Sequence, residues 1–105
     1  MIKVIIKRPD ETAGHMTNIS GTLENLQRTV EGYIETVRLT SDMVIICNEE
    51  GRLRGLEPNC RIAGIDFVGT IIVAGVNGGE FCDVPCSMRW FRERVVEPYG
   101  GRADG

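Results

Sequence analysis

Of the 12 basic residues in this chain only Lys3 and Lys7 are lysines, and the rest are arginines. A guanidinium is a planar fork of donors that suits carboxylates and phosphates better than an ammonium does. The arginines gather in two places: Arg52, Arg54 and Arg61, then Arg89, Arg92 and Arg94. The first group stands beside Asn48, Glu49, Glu50 and Asn59. There Arg52 and Arg54 could grip a phosphate while Asn48 and Asn59 read a base or a ribose. The second group is interleaved with Trp90 and Phe91, a composition enriched in protein-binding hot spots and in platforms for single-stranded nucleic acid. The plainer expectation is solvated charge balanced by Glu49, Glu50, Glu57, Glu93 and Glu97, since surface ion pairs mostly contribute little.

Four cysteines, Cys47, Cys60, Cys82 and Cys86, could in principle hold a structural zinc. Their spacing lacks the paired Cys-x-x-Cys knuckles of such sites, which favours buried thiols behaving as small hydrophobes. No metal and no other cofactor is therefore expected. His15, the single histidine, has no cysteine near it in sequence, so nothing points to a nucleophile and base acting together. Glu35 alternates with Tyr33 and Val37 on one face of an expected strand, where a buried carboxylate needs a partner such as an arginine. Glycine-rich phosphate loops are absent, and Gly75, Gly78 and Gly79 are explained by a hairpin. With no catalytic constellation, a binding role is expected in place of an enzymatic one.

The elements that must position these residues follow from apolar patterning. The β-branched run at residues 2–6 reads as a buried strand, and the polar stretch 10–20 as an irregular loop. Thr22 is a candidate N-cap for a short helix carrying Leu23, Leu26 and Val30, which Gly32 should stop. Residues 33–39 and 43–47 form an expected hairpin. The turn 48–51 uses Gly51 for positive φ, and residues 52–56 return as a short strand. Ile62, Ile65 and Phe67 must be buried, in a geometry the pattern leaves open. Residues 69–76 form a strand, Asn77-Gly78 a type I′ turn, and residues 80–84 the returning strand. Pro85 suits the first turn of a helix over residues 87–95 striped by Met88, Phe91 and Val95. The fold class is α+β, a mainly antiparallel sheet with two short helices packed on it.

At 105 residues and 42% hydrophobic content the chain makes one domain, expected over residues 1–98. The glycine-rich residues 99–105 read as a flexible tail. A net charge of -3 argues against bulk attraction to nucleic acid or to anionic membrane. The start is too briefly apolar to read as a signal peptide, and no apolar run reaches membrane length, so neither is expected. A cytoplasmic location, in whatever cell makes the protein, is the expectation.

Three segments carry a further pattern: Gly21-Thr-Leu-Glu-Asn-Leu-Gln-Arg-Thr-Val-Glu-Gly-Tyr-Ile-Glu35, then Asn48-Glu-Glu-Gly-Arg-Leu-Arg-Gly-Leu-Glu-Pro-Asn59, then Gly69-Thr-Ile-Ile-Val-Ala-Gly75. Together they resemble a small family catalogued as a domain of unknown function and found in bacteriophages, plasmids and conjugative elements. The resemblance runs from Ile2 to about Phe91. It implies a counter-defence context, and the chain is similar in size and style to type II-A anti-CRISPR proteins, which bind an RNA-guided nuclease. The expected partner is then such a host defence protein, and the resemblance makes the expected location the cytoplasm of a bacterial host cell. The alternatives are a sponge that sequesters a nucleotide-derived immune signal, which would bind across a homo-oligomer interface, and a zinc-stabilised protein-interaction module.

Overall fold

The computed structural model describes residues 1–96; the expected tail at 99–105 and the domain end at residue 98 lie outside the described residues. The elements in chain order are β1 (Ile2–Lys7), β2 (His15–Ile19), α1 (Leu23–Val30), β3 (Ile34–Thr40), β4 (Met43–Asn48), β5 (Pro58–Ile62), β6 (Ile65–Val68), β7 (Ile71–Asn77), β8 (Glu80–Cys82), α2 (Met88–Arg94) and β9 (Val95–Val96). Five strands form a central antiparallel sheet in the order β2-β1-β7-β4-β3, and β8 pairs with β7. A second, smaller sheet has the order β6-β5-β9. The α+β architecture expected from the sequence is present, with its strands divided between two sheets.

The continuous apolar runs of β1, β4 and β7 arise because both faces of the central sheet are covered. Ile5, Ile45, Ile71 and Val73 pack with Cys60, Ile62, Phe67 and Phe91, which come from the small sheet and α2. Their neighbours in sequence, Val4, Ile6, Val44, Ile46 and Ile72, pack against Leu26 and Val30 of α1. The domain is thus three layers: α1, the central sheet, and the small sheet with α2.

The N-terminus of α1 forms as the sequence implies. Thr22 is extended, and its side-chain oxygen accepts from the Asn25 amide at 3.2 Å. Its C-terminus differs. The left-handed residue is Glu31, at φ 65°, not Gly32. The Gly32 amide reaches back to the Gln27 carbonyl at 3.0 Å, closing a Schellman-type end. Glycine is needed at position 32 for space: a Cβ there would lie 2.5 Å from Asn48 Nδ2 and 2.7 Å from Arg54 Nη1. Leu23, expected in the apolar stripe, is exposed.

Four other segments depart from the sequence pattern. The expected loop at 10–20 contains β2, which pairs with β1 from Ile2↔Ile19 to Ile6↔His15. As a half-exposed edge strand it carries too weak an alternation to be read. Residues 52–56 are not a strand; the Arg54 amide bonds the Glu50 carbonyl at 2.9 Å in a helix-like turn that ends at Gly55, φ 67°. Gly51 is not at positive φ as expected; it serves close approach to the small sheet, since a Cβ would meet Val68 Cγ2 at 2.7 Å. The second hairpin turns at Gly78-Gly79, with φ 63° and 87°, one residue later than expected. Pro85 precedes the Ser87 N-cap of α2 and so lies outside the helix. The ambiguous stretch at 58–67 is the β5–β6 hairpin, turning at Ala63 and Gly64.

Candidate functional site: a groove between two edge strands

The edge of each sheet meets the other at one place. β3 closes one side of the central sheet and β6 one side of the small sheet. Between them lies a groove of about 450 Å³, bounded by Glu35, Val37, Cys47, the turn at residues 48–53, and Ile65, Asp66, Phe67 and Val68. Its floor is apolar and its rim is charged. A shallower hollow of about 240 Å³ lies on the other side of the same turn, lined by Gln27, Gly32, Tyr33, Glu50 and Arg54.

Exposed large apolar side chains among the described residues are Met1, Leu23, Tyr33, Leu53 and Ile65, and the last three line these two depressions. Ile65, expected to be buried with Ile62 and Phe67, is instead 41% exposed at the groove. Leu53 at the tip of the turn is 89% exposed, so it contributes nothing to the core. The sequence pattern does not reveal it: Arg52-Leu-Arg54 alternates like a strand, which would give Leu53 a face to be buried on, and only the backbone bonds of residues 54–56 make it the tip of a turn.

The residues singled out in the sequence divide into scaffold and surface. Asn48 is buried, donating from Nδ2 to the Val30 carbonyl at 3.0 Å and accepting at Oδ1 from the Glu50 amide at 2.7 Å. Arg54 donates to the Glu31 carbonyl at 2.6 Å. Both side chains thereby satisfy the last carbonyls of α1. Asn59 is fully buried and clamps three groups: it accepts from Lys7 Nζ and donates to the carbonyls of Lys7 and Gly69, all at 2.8 Å. Arg61 pairs with Asp66 through Nε at 2.6 Å.

Glu49, Glu50 and Arg52 remain on the groove wall. Arg52 donates to the Asp66 carbonyl at 2.6 Å and ties the turn to β6. Glu35 is exposed at the groove rim, not held in the core, so it has no need of a buried arginine. Arg89 and Arg92 are exposed on α2, with Arg89 3.7 Å from Glu93. Trp90 packs partly on the core, and Arg94 stacks over its ring at 3.9 Å. The two arginine groups are therefore not one surface: the first surrounds the turn and the second lies on α2.

Electrostatics at the groove follow from these contacts. The hydrogen bond from Arg61 holds the Asp66 carboxyl below its usual range, and the nearby Arg52 charge acts in the same direction. Burial pushes the Cys47 thiol up to about 11, with the Glu35 charge adding to the effect and Arg52 opposing it. The sulfur on the groove floor is neutral near pH 7. Cys60 is also buried, while Cys82 and Cys86 are partly exposed. Among the described residues, no group of three or more His, Cys, Asp and Glu side chains is placed to hold a metal ion. His15 Nδ1 lies 2.8 Å from Glu11 Oε2 at the start of β2, the edge of the central sheet opposite β3. No described helix is long and apolar enough to cross a membrane.

The class this defines is a three-layer α+β domain with a charged-rimmed apolar groove between its two sheets. Residues 2–96 match the family described as a domain of unknown function, DUF3846, and the chain belongs to that family. The likeness read from the three sequence segments holds at that level. Comparison with curated proteins and with solved structures finds no match.

Proposed function

We propose that this protein acts by binding a protein partner at the groove between β3 and β6, and that the partner is a host defence protein, an RNA-guided nuclease being the first candidate. The observation that carries the docking surface is the gathering of Tyr33, Leu53 and Ile65 around one turn. Apolar anchors surrounded by a polar rim are the usual anatomy of a protein interface. The choice of partner draws on the resemblance to mobile-element proteins. It also draws on charge: Glu35, Glu49 and Glu50 on the groove wall suit a basic surface, and nucleases of this class hold their nucleic acid in a positively charged channel.

A nucleotide-sequestering role draws less support. Of its four readers, Asn48, Asn59 and Arg54 are engaged inside the domain and Arg52 bonds β6. The test is a cleavage assay with a type II-A nuclease, guide RNA and target DNA. Purified protein should abolish cleavage, and the Leu53→Asp variant should restore it. Undiminished cleavage at saturating protein removes the nuclease as the partner.

A further inference from the structure

The open edge of β3 runs along the groove. The Glu49 amide bonds the Tyr33 carbonyl at 2.8 Å. The register then pairs Glu35 with Cys47 and Val37 with Ile45. In an antiparallel ladder alternate residues exchange bonds with the partner strand. Tyr33, Glu35 and Val37 therefore bond toward β4, while Ile34, Thr36 and Arg38 present their amides and carbonyls outward. The neighbouring pair confirms the phase: the Val76 amide bonds the Asp42 carbonyl at 2.9 Å, so the even-numbered residues of β4 face β7. No described strand takes up the outward groups of β3.

An unpaired edge is a template for an added strand. Side chains of such a strand on the groove side would stand beside Glu35 and Val37, within reach of Leu53 and Ile65. The carboxylates of Glu35, Glu49 and Glu50 have no side-chain partner among the described residues. A second copy would bring its own Glu35, Glu49 and Glu50 to the same edge and so offers these carboxylates no charge complement, which favours a basic segment over a second copy as the occupant.

We infer that the groove takes an extended basic segment of the protein partner, added as a further strand to the edge of β3, with alternate lysine or arginine side chains meeting Glu35, Glu49 and Glu50. This rests on the groove being the docking surface and names the chemistry of what docks there. Backbone bonds to Ile34, Thr36 and Arg38 supply the alignment, and the carboxylates supply the selection for positive charge.

The test uses the full chain, isotope-labelled, and a capped nine-residue peptide alternating lysine with valine. Amide shifts should move at Ile34, Thr36 and Arg38 and along the groove, and the binding should weaken with added salt. The same peptide N-methylated at alternate residues should bind at least about tenfold more weakly, because it cannot form the ladder. A glutamate-for-lysine peptide should not bind. Glu35→Gln and Glu50→Gln should each weaken the lysine peptide by about two- to fivefold, the range of exposed charge pairs.

Thr36→Pro removes an outward amide without breaking a bond to β4, a substitution edge strands accept. It should keep the native spectrum and lose the peptide. Three results overturn the inference: a β3 edge untouched at millimolar peptide in a natively folded protein, equal binding of the N-methylated peptide, or β3 amides protected by self-association in sedimentation. If Leu53→Asp abolishes nuclease inhibition while the peptide leaves β3 untouched, the docking surface stands and the added strand falls. If the peptide binds β3 while cleavage is unaffected, the added strand stands and the nuclease falls.

Discussion

Asn59→Ala should be among the most damaging single substitutions in this domain, although it removes only a small polar side chain. Asn59 is fully buried and joins three partners in two layers: the Lys7 ammonium, the Lys7 carbonyl ending β1, and the Gly69 carbonyl preceding β7. Truncation leaves both carbonyls without this donor. A buried polar group that loses its partner costs about 1–3 kcal/mol. Lys7 Nζ keeps the Glu11 carbonyl at 2.7 Å, so its loss is partial. Two such losses sum to about 2–6 kcal/mol, a large part of the roughly 5–15 kcal/mol that holds a domain together. At a urea dependence of about 1–2 kcal/mol per molar, the unfolding midpoint should fall by at least about 1 M with an unchanged slope. Circular dichroism during urea titration reads this directly. A double cycle with Lys7→Met should return a coupling of about 1–2 kcal/mol. A loss below about 1 kcal/mol for Asn59→Ala would refute the reasoning, because it would mean the layers are held by apolar contact alone.

The remaining expectations concern the turn, the helix end and the thiols. Leu53→Asp should leave stability within about 0.5 kcal/mol, as expected of an exposed site, while abolishing partner capture in a pull-down. Adjacent positions at the end of α1 should respond with opposite sign. Glu31→Gly relieves a left-handed side-chain residue and should stabilise by about 0.5–1 kcal/mol. Gly32→Ala forces a methyl against Asn48 and Arg54 and should cost about 1–3 kcal/mol, both measured by thermal unfolding. Cys47, with its thiol pushed to about 11, should react with iodoacetamide at pH 8 about tenfold more slowly than a thiol near 9 before any shielding by burial, because its smaller thiolate fraction outweighs the greater nucleophilicity of that thiolate. Its neutral form favours the fold below the unfolded thiol's pKa near 9, and that contribution is lost as pH climbs toward about 11. Cys47→Ala should flatten the fall in stability over that window.

Much of the scaffold was legible because its signals are local. Thr22 caps α1 with the side-chain bond its type implies, whereas Ser87, expected inside the second helix, is its cap. The runs in β1, β4 and β7 are apolar throughout because two layers cover them. What escaped was whatever tertiary context decides. The strand β2 is held by β1 and not by its own pattern. Arg52-Leu-Arg54 alternates like a strand, yet backbone bonds from residues 54–56 curl it into a turn. The candidate site was half visible. Glu49, Glu50 and Arg52 do lie on the groove wall. Asn48, Arg54 and Asn59 are ligand-binding residues by chemical type, and only their partners reveal that they hold the scaffold. Leu53 and Ile65, the apolar half of the groove, belong to a surface that exists only once two sheets meet.

Asn48 and Arg54 fasten the turn to the carbonyls at the end of α1. The helix lies against one face of the central sheet, while the groove opens beside the small sheet on the other. Load applied at the turn is therefore transmitted through two short tethers to the opposite side of the molecule. Hydrogen exchange at the last turn of α1 should slow when anything occupies the groove, giving a reporter that sits outside the footprint of the partner itself.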